Sequence, residues 1–272
     1  MRKSRRHALG QHFLKNPRLL AKLVSSISLG PADTILEVGA GEGHLTALLA
    51  KQAGRVIAIE KDPRITPRLK ARKLPNVEII EADVLQISFR DVLPVSRAKV
   101  VGNLPYSIAT SFLYKIWEEK EAVLEGHFLI QKEVAMKICA EPGIKAFGPL
   151  SLLLQNHFVP RILFTLGPGA FTPPPRVDSA FIRLTPRKRP LVAIHDEAGF
   201  RDFLQGLFQS RRKTLGNCLK RAGMVSSDIS PALRLCGVDE RTRPEQIDLI
   251  HFACLFHSLW GTSPKVPPRS LA

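Results

Sequence analysis

Just after the strand-like stretch Ala98 to Val101 the chain carries Asn103-Leu104-Pro105-Tyr106. An amide, a backbone carbonyl ahead of a proline and an aromatic ring together suit the capture of an aromatic amine. The nitrogen of such an amine is a poor nucleophile, because its lone pair is delocalised into the ring. Two acceptors, the Asn103 side-chain oxygen and the Leu104 carbonyl, can hold its two hydrogens and draw the nitrogen towards tetrahedral geometry. That frees the lone pair without a strong base. Tyr106 offers a stacking face, a contribution of about 1–3 kcal/mol per nucleobase. The plainer alternative is a packed tyrosine in a proline-containing turn.

Upstream, Glu37-Val38-Gly39-Ala40-Gly41-Glu42-Gly43 follows another apolar run. Glycines at a strand-to-helix corner permit a tight turn and let a ligand approach bare backbone. The G-x-G-x-G spacing is not the dinucleotide fingerprint, and no Lys-Ser/Thr pair of a triphosphate loop follows it. Glu42 would repel a diphosphate, so a less anionic adenosine ligand fits better. A purely structural turn is the competing reading. Glu60, about 20 residues further on, stands where an acid accepts both ribose hydroxyls. A carboxylate there also suits a ligand bearing a sulfonium charge, although a solvated loop acid has the same look. Asp83, in Glu81-Ala82-Asp83-Val84, is placed to accept from an adenine amino group. Three such residues after three successive strands weigh more than any one alone.

The elements that must position these residues alternate. Strands are expected at 35–38, 55–59, 77–80 and 98–101, with helices at 17–27, 44–52, 67–73 and 108–119. Further strands are expected at 126–131, 159–166 and 179–184, and helices at 133–140 and 150–156. This alternation implies an α/β fold with a parallel, doubly wound sheet. Thr185 to Pro190 reads as a linker. Beyond it, 198–208, 213–222, 230–235 and 244–259 read as helices without intervening strands. The expected division is a sheet domain over 1–188 and a small all-helical domain over 189–272.

Composition bounds the rest. Of 272 residues, 44% are hydrophobic and 24% charged, which excludes a disordered chain. No apolar run approaches the ~18 residues a spanning helix needs. The four cysteines (Cys139, Cys218, Cys236, Cys254) form no C-x-x-C pair, so buried reduced thiols are expected rather than a disulfide framework or a zinc site. The net charge of +16 is segregated: +7 over residues 1–32, +2 over 33–182 and +7 over 183–272. A nearly neutral body between two basic ends suits a catalytic core with arms for a polyanion. Residues 1–9 are basic and acid-free, but so short that they read as a mature N-terminus and not as a transit peptide.

Taken together, these segments resemble the KsgA-type ribosomal RNA adenine dimethyltransferases, which are related to the Erm methylases. The likeness runs nearly end to end. It takes in Gly10 to Leu14, the glycine loop, Glu60, Asp83, Asn103 to Tyr106 and Gln131 to Ala135. It continues through Phe171 to Ser179, Arg211 to Leu215 and Arg243 to Glu245. His12 stands where some relatives have asparagine, and Pro149 replaces a basic residue usual at its position. The resemblance implies a Rossmann-like methyltransferase domain with a small helical domain that docks RNA. It implies S-adenosylmethionine contacts at His12, Leu14, Gly39, Glu60, Asp83 and Asn103, and a target-base pocket at Asn103, Leu104, Tyr106 and Phe171. No metal is expected, since His12 has no second ligand at a metal-binding spacing. Phe171, in a proline-rich loop, reads as an exposed stacking partner for a flipped base, with packing under its own loop as the alternative. Asp178 and Ser179 read as loop structure. The implied reaction is two methyl transfers to each of two adjacent adenines near the end of small-subunit ribosomal RNA, in the immature subunit, by a cytoplasmic monomer. An Erm-type methylase of large-subunit RNA and an assembly factor acting mainly by binding are the alternatives.

Overall fold

The computed structural model describes residues 12–14, 16–210 and 212–260. The basic stretch 1–9, Gly10, Gln11 and Arg211, on which expectations fall, lie outside the described residues. The sheet-bearing part runs β1 (Phe13–Leu14), α1 (Pro17–Ser25), β2 (Thr34–Val38), α2 (His44–Leu49), β3 (Arg55–Glu60), α3 (Thr66–Lys70), β4 (Val77–Glu81) and α4 (Phe89–Val92). It continues through β5 (Ala98–Asn103), α5 (Ala109–Glu118), β6 (Val123–Gln131), α6 (Lys132–Ile138), α7 (Pro149–His157), β7 (Phe158–Leu166), β8 (Phe171–Thr172) and β9 (Ser179–Pro186). Helices α8 (Glu197–Phe208), α9 (Leu215–Arg221), α10 (Ser226–Leu235) and α11 (Leu249–Leu259) follow.

Seven strands form one sheet in the order β4-β3-β2-β5-β6-β9-β7. The five from β4 to β6 are parallel, whereas β9 runs antiparallel to both β6 and β7. The expectation of a wholly parallel sheet is corrected here. Between β7 and β9 there is no α-helix to carry the chain across, and a parallel pair needs such a crossover. The inner strands are apolar on both faces, as Ile35, Leu36, Ile57 and Val100 show by their complete burial. Helix α1 starts at Asn16, whose side chain accepts the Arg18 N–H at 2.9 Å, with Pro17 in the first turn. Its Leu20, Leu23 and Val24 pack with Ile35, Leu49 and Val56. Each such side chain contributes about 1.5–3 kcal/mol.

Gly43, at φ +80°, turns the chain from the loop after β2 into α2. A Cβ there would press on the side chains of Leu69 and Arg72, and the positive φ itself favours glycine.

The chain divides into two units. One holds the sheet, running to Met136 and resuming over Phe158–Lys188; the other combines Lys137–His157 with the residues from Arg189 onward. One division falls at 188, and 137–157 groups with the C-terminal helices and not with the sheet. Asn156 shows why. Its amide accepts the Val192 N–H at 2.9 Å and donates to the Val192 carbonyl at 3.1 Å. The Gly143 N–H likewise donates to the Glu245 carbonyl at 2.7 Å. Within this unit Phe200 meets Phe256 edge-on with ring centroids 5.2 Å apart. Cys236 and Cys254 are joined in a disulfide, which corrects the expectation of four reduced thiols; Cys139 and Cys218 are not disulfide-bonded. Helices α10 and α11 pack together, and spacing along the chain cannot reveal that contact. No helix among the described residues is long and apolar enough to cross a membrane.

Candidate active site

The strand order reverses between β2 and β5, and a crevice opens beyond the carboxyl ends of strands at such a switch point. Here the glycine loop, Glu60, Asp83 and Asn103 stand at or just beyond the ends of β2, β3, β4 and β5 in turn. Gly39, Glu60, Asp83, Asn103 and Leu104 line one cleft there with His12, and the cleft encloses about 840 Å³, its open mouth included.

Each side chain is fixed by identifiable bonds. Glu60 is buried at the end of β3 and accepts two backbone N–H groups, Gly41 at 2.8 Å and Asp62 at 2.8 Å. It therefore ties the glycine loop to the strand end. Asp83 accepts the Leu85 N–H at 3.0 Å and the Lys61 ammonium at 2.6 Å. The Lys61 bond holds the Asp83 carboxyl below the usual carboxylate range. Asp62 is held low in the same way, chiefly by the Arg64 guanidinium.

Glu37, one residue before the end of β2, behaves oppositely. It is 1% exposed, and burial pushes its pKa up to about 8, with the Glu60 charge adding to the rise. The Thr46 hydroxyl opposes that rise, yet neither Glu37 Oε2 nor Thr46 Oγ1 reaches a full hydrogen bond. Near neutral pH Glu37 is mostly a neutral acid, and it does not line the cleft, whose acidic residues are Glu60, Asp62 and Asp83.

Asn103 ends β5, and its Nδ2 donates to the His12 carbonyl at 3.0 Å. A carbonyl can only accept, so the amide nitrogen must face His12 and Oδ1 is left as the acceptor. The Leu104 N–H is pinned to the Leu129 carbonyl at 3.1 Å. The Tyr106 hydroxyl meets Ser179 Oγ at 2.5 Å, and its ring lies 5.2 Å from the His12 ring, tilted by 44°. Burial raises the Tyr106 pKa, so the phenol stays protonated. His12 is itself anchored, its Nδ1 lying 2.8 Å from the Pro173 carbonyl.

Two expected residues stand elsewhere. Leu14 and Phe171 face each other across the two-stranded β1/β8 pair, and both are buried in the core beside α1. Phe171 is only 4% exposed, which corrects its reading as an exposed stacking ring. A proline-rich loop gives no sign that a two-residue strand will draw one of its side chains inward. Tyr106 is half-buried and stands just outside the cleft lining. Phe13 lies against Gly41, where a Cβ would come within 3.2 Å of its ring; sequence reading assigned it no role, although it adjoins His12. Lys61 and Asp62 also line the cleft, and their places next to Glu60 were the only available signal.

A family model described as ribosomal RNA adenine dimethylase matches residues 2–249. The chain belongs to this family. It is 40% identical over 267 residues to the ribosomal RNA small subunit methyltransferase A of Geobacter metallireducens, covering 96% of this chain and 97% of that one. It is 38% identical to the protein of the same name from Acinetobacter baylyi, covering 92% and 90%. Among solved structures it resembles a dimethyladenosine transferase from Plasmodium falciparum in fold (TM-score 0.74, 24% identity, 90% and 96% covered). It also resembles the 23S rRNA methyltransferase ErmE (TM-score 0.69, 26% identity, 91% and 99% covered). The chain is therefore a Rossmann-like rRNA adenine dimethyltransferase, and the cofactor of this family is S-adenosylmethionine.

The cleft fits that cofactor. Its carboxylates complement a cationic nucleoside, and at Gly41, where φ is +56°, a Cβ would crowd the Phe13 ring. When bound, the cofactor supplies a methyl group activated by a sulfonium. The chain's own contribution is positioning and electrostatics around it.

Proposed function

We propose that this dimethyltransferase methylates the exocyclic amino groups of two adjacent adenines near the 3′ end of small-subunit ribosomal RNA, two methyl groups per base, during subunit assembly. His12, Gly39, Glu60 and Asp83 hold the cofactor, with Glu60 on the ribose and Asp83 on the adenine. Asn103 Oδ1 and the Leu104 carbonyl hold the two amino hydrogens of the target, and Tyr106 stacks on its ring. Leu14 and Phe171 serve this site from the core, by holding the segment that carries His12. The basic ends of the chain contact phosphates, a term that depends on salt. The enzyme works as a monomer in the cytoplasm on the immature subunit.

The observation that carries this reading is the bond from Asn103 Nδ2 to the His12 carbonyl, which leaves Oδ1 as an acceptor at the cleft. The small-subunit assignment rests on relatives of that name matching along nearly the whole chain, against the lower identity to ErmE. Mass mapping of ribosomal RNA from cells lacking the gene tests it. Dimethyladenine should vanish from small-subunit RNA and return when purified protein is added. Loss confined to large-subunit RNA would favour the Erm-type activity, and loss of neither would leave an assembly factor.

A further inference from the structure

We infer that Ser179 is a positioning residue for the second methyl transfer, acting through the Tyr106 ring. The inference rests on the proposed stacking of the target base on Tyr106. Tyr106 follows β5 in a loop, so something outside that loop must fix its ring. Ser179 does so from the first position of β9, with Oγ 2.5 Å from the phenolic oxygen. Ser179 is fully buried and is itself held on both sides, opposite Gln131 of β6 and Leu166 of β7. Its neighbour Asp178 accepts the Lys132 N–H at 2.9 Å, which closes the same end of the sheet. The hydroxyl pair thus transfers the rigidity of a three-strand junction to a loop aromatic.

The chemistry makes that rigidity unequal in its effect. In each transfer the amino nitrogen forms a bond to the methyl carbon, the carbon–sulfur bond breaks with its electron pair left on sulfur, and the surplus proton leaves to water. Before the first transfer the amine has two hydrogens for two acceptors, Asn103 Oδ1 and the Leu104 carbonyl. Afterwards it has one. The monomethylated base has lost a polar tether, so the stacking face must do more of the orienting. A Tyr106 ring free to swing therefore impairs the second transfer more than the first.

The test uses the full-length enzyme and a small-subunit RNA substrate. In single-turnover assays Ser179→Ala should slow the second transfer by about tenfold, a modest loss of orientation, and the first by about threefold or less. N6-monomethyladenine should then accumulate. Tyr106→Phe removes the same bond from the other side and should give the same pattern, and the double variant should be no worse than either single. Cofactor affinity by calorimetry should stay within about twofold, since the bond lies outside the cofactor cleft. A readout independent of turnover is available because the chain has only two tyrosines, Tyr106 and Tyr114. With tyrosine labelled at the phenolic carbon, Ser179→Ala should shift one NMR signal, the one absent from Tyr106→Phe. Equal slowing of both transfers, or additive losses in the double variant, would overturn the inference while leaving the adenine-methylating activity standing. Failure of the wild-type enzyme to methylate the RNA would instead remove the proposed function beneath it.

Discussion

The side-chain amide of Asn103 donates to the backbone carbonyl of His12, joining the end of β5 to a residue 91 positions earlier in the chain. This one bond fixes which amide atom is left as an acceptor. Asn103→Ala removes both the tether and the acceptor. Methyl transfer at saturating cofactor should fall about 100-fold or more, comparable to deleting one preorganised polar group at a reacting centre. RNA affinity should change little, because phosphate contacts dominate it. Transfer within threefold of wild type would show that Asn103 merely shapes a turn.

Glu60 spends its carboxylate on Gly41 and Asp62 backbone N–H groups and still faces the cleft. Replacing it with alanine unties the glycine loop and removes the proposed ribose acceptor together. Cofactor binding should weaken by about 1–3 kcal/mol, the usual scale for hydrogen bonds to a charged group. Calorimetry on a variant shown to be folded decides the matter, and an unchanged affinity would remove Glu60 from the cofactor site.

Glu37 gives a pH dependence of definite sign. Its pKa rises from 4.5 in an ordinary environment to about 8 in the folded chain. Between those values the folded state binds more protons than the unfolded one. The stabilisation is complete below the lower value and is lost as pH rises through the window. Urea unfolding followed from pH 5 to pH 8 should therefore show a decline that Glu37→Gln flattens. A variant as steep as wild type would place the responsible group elsewhere.

The Cys236–Cys254 disulfide closes a loop of sequence separation 18. Thiol titration of the unfolded, unreduced protein should find two reactive thiols, Cys139 and Cys218, and four after reduction. Reduction should cost about 3 kcal/mol of stability in the chain-entropy view for a loop of this size. Cofactor affinity should not follow, since both cysteines lie in the unit without the cleft. Four thiols before reduction would mean that the bond does not form in the purified protein.

Much of the site was legible in the sequence because its residues follow the ends of successive strands. A parallel sheet brings such positions to one edge, so apolar runs followed by glycine, Glu60, Asp83 and Asn103 already imply a shared crevice. The same periodicity locates most helices and strands to within a few residues, since most of them bury an apolar face, although the last helix begins at Leu249 and not at 244. The C-terminal helices were equally plain, having no strand-like alternation between them.

What the tertiary structure alone decided are the contacts between distant, individually weak segments. Strands β1 and β8 have two residues each and no readable period, yet their pairing turns Phe171 and Leu14 into the core and sets Phe13 against Gly41. Ser179 looks like a loop serine until β9 places it beside Tyr106, 73 positions away. Helix α7 is visible as a helix, but the unit to which it belongs depends on the grip of Asn156 on Val192. The neutral state of Glu37 depends on complete burial, a property of the packed sheet and not of its neighbours in the chain. The sequence determined that Gly39, Glu60, Asp83 and Asn103 share a crevice, because they stand at the ends of successive parallel strands. Only the folded chain determined which of them are held still, because that depends on hydrogen bonds and packing between segments that no local pattern relates.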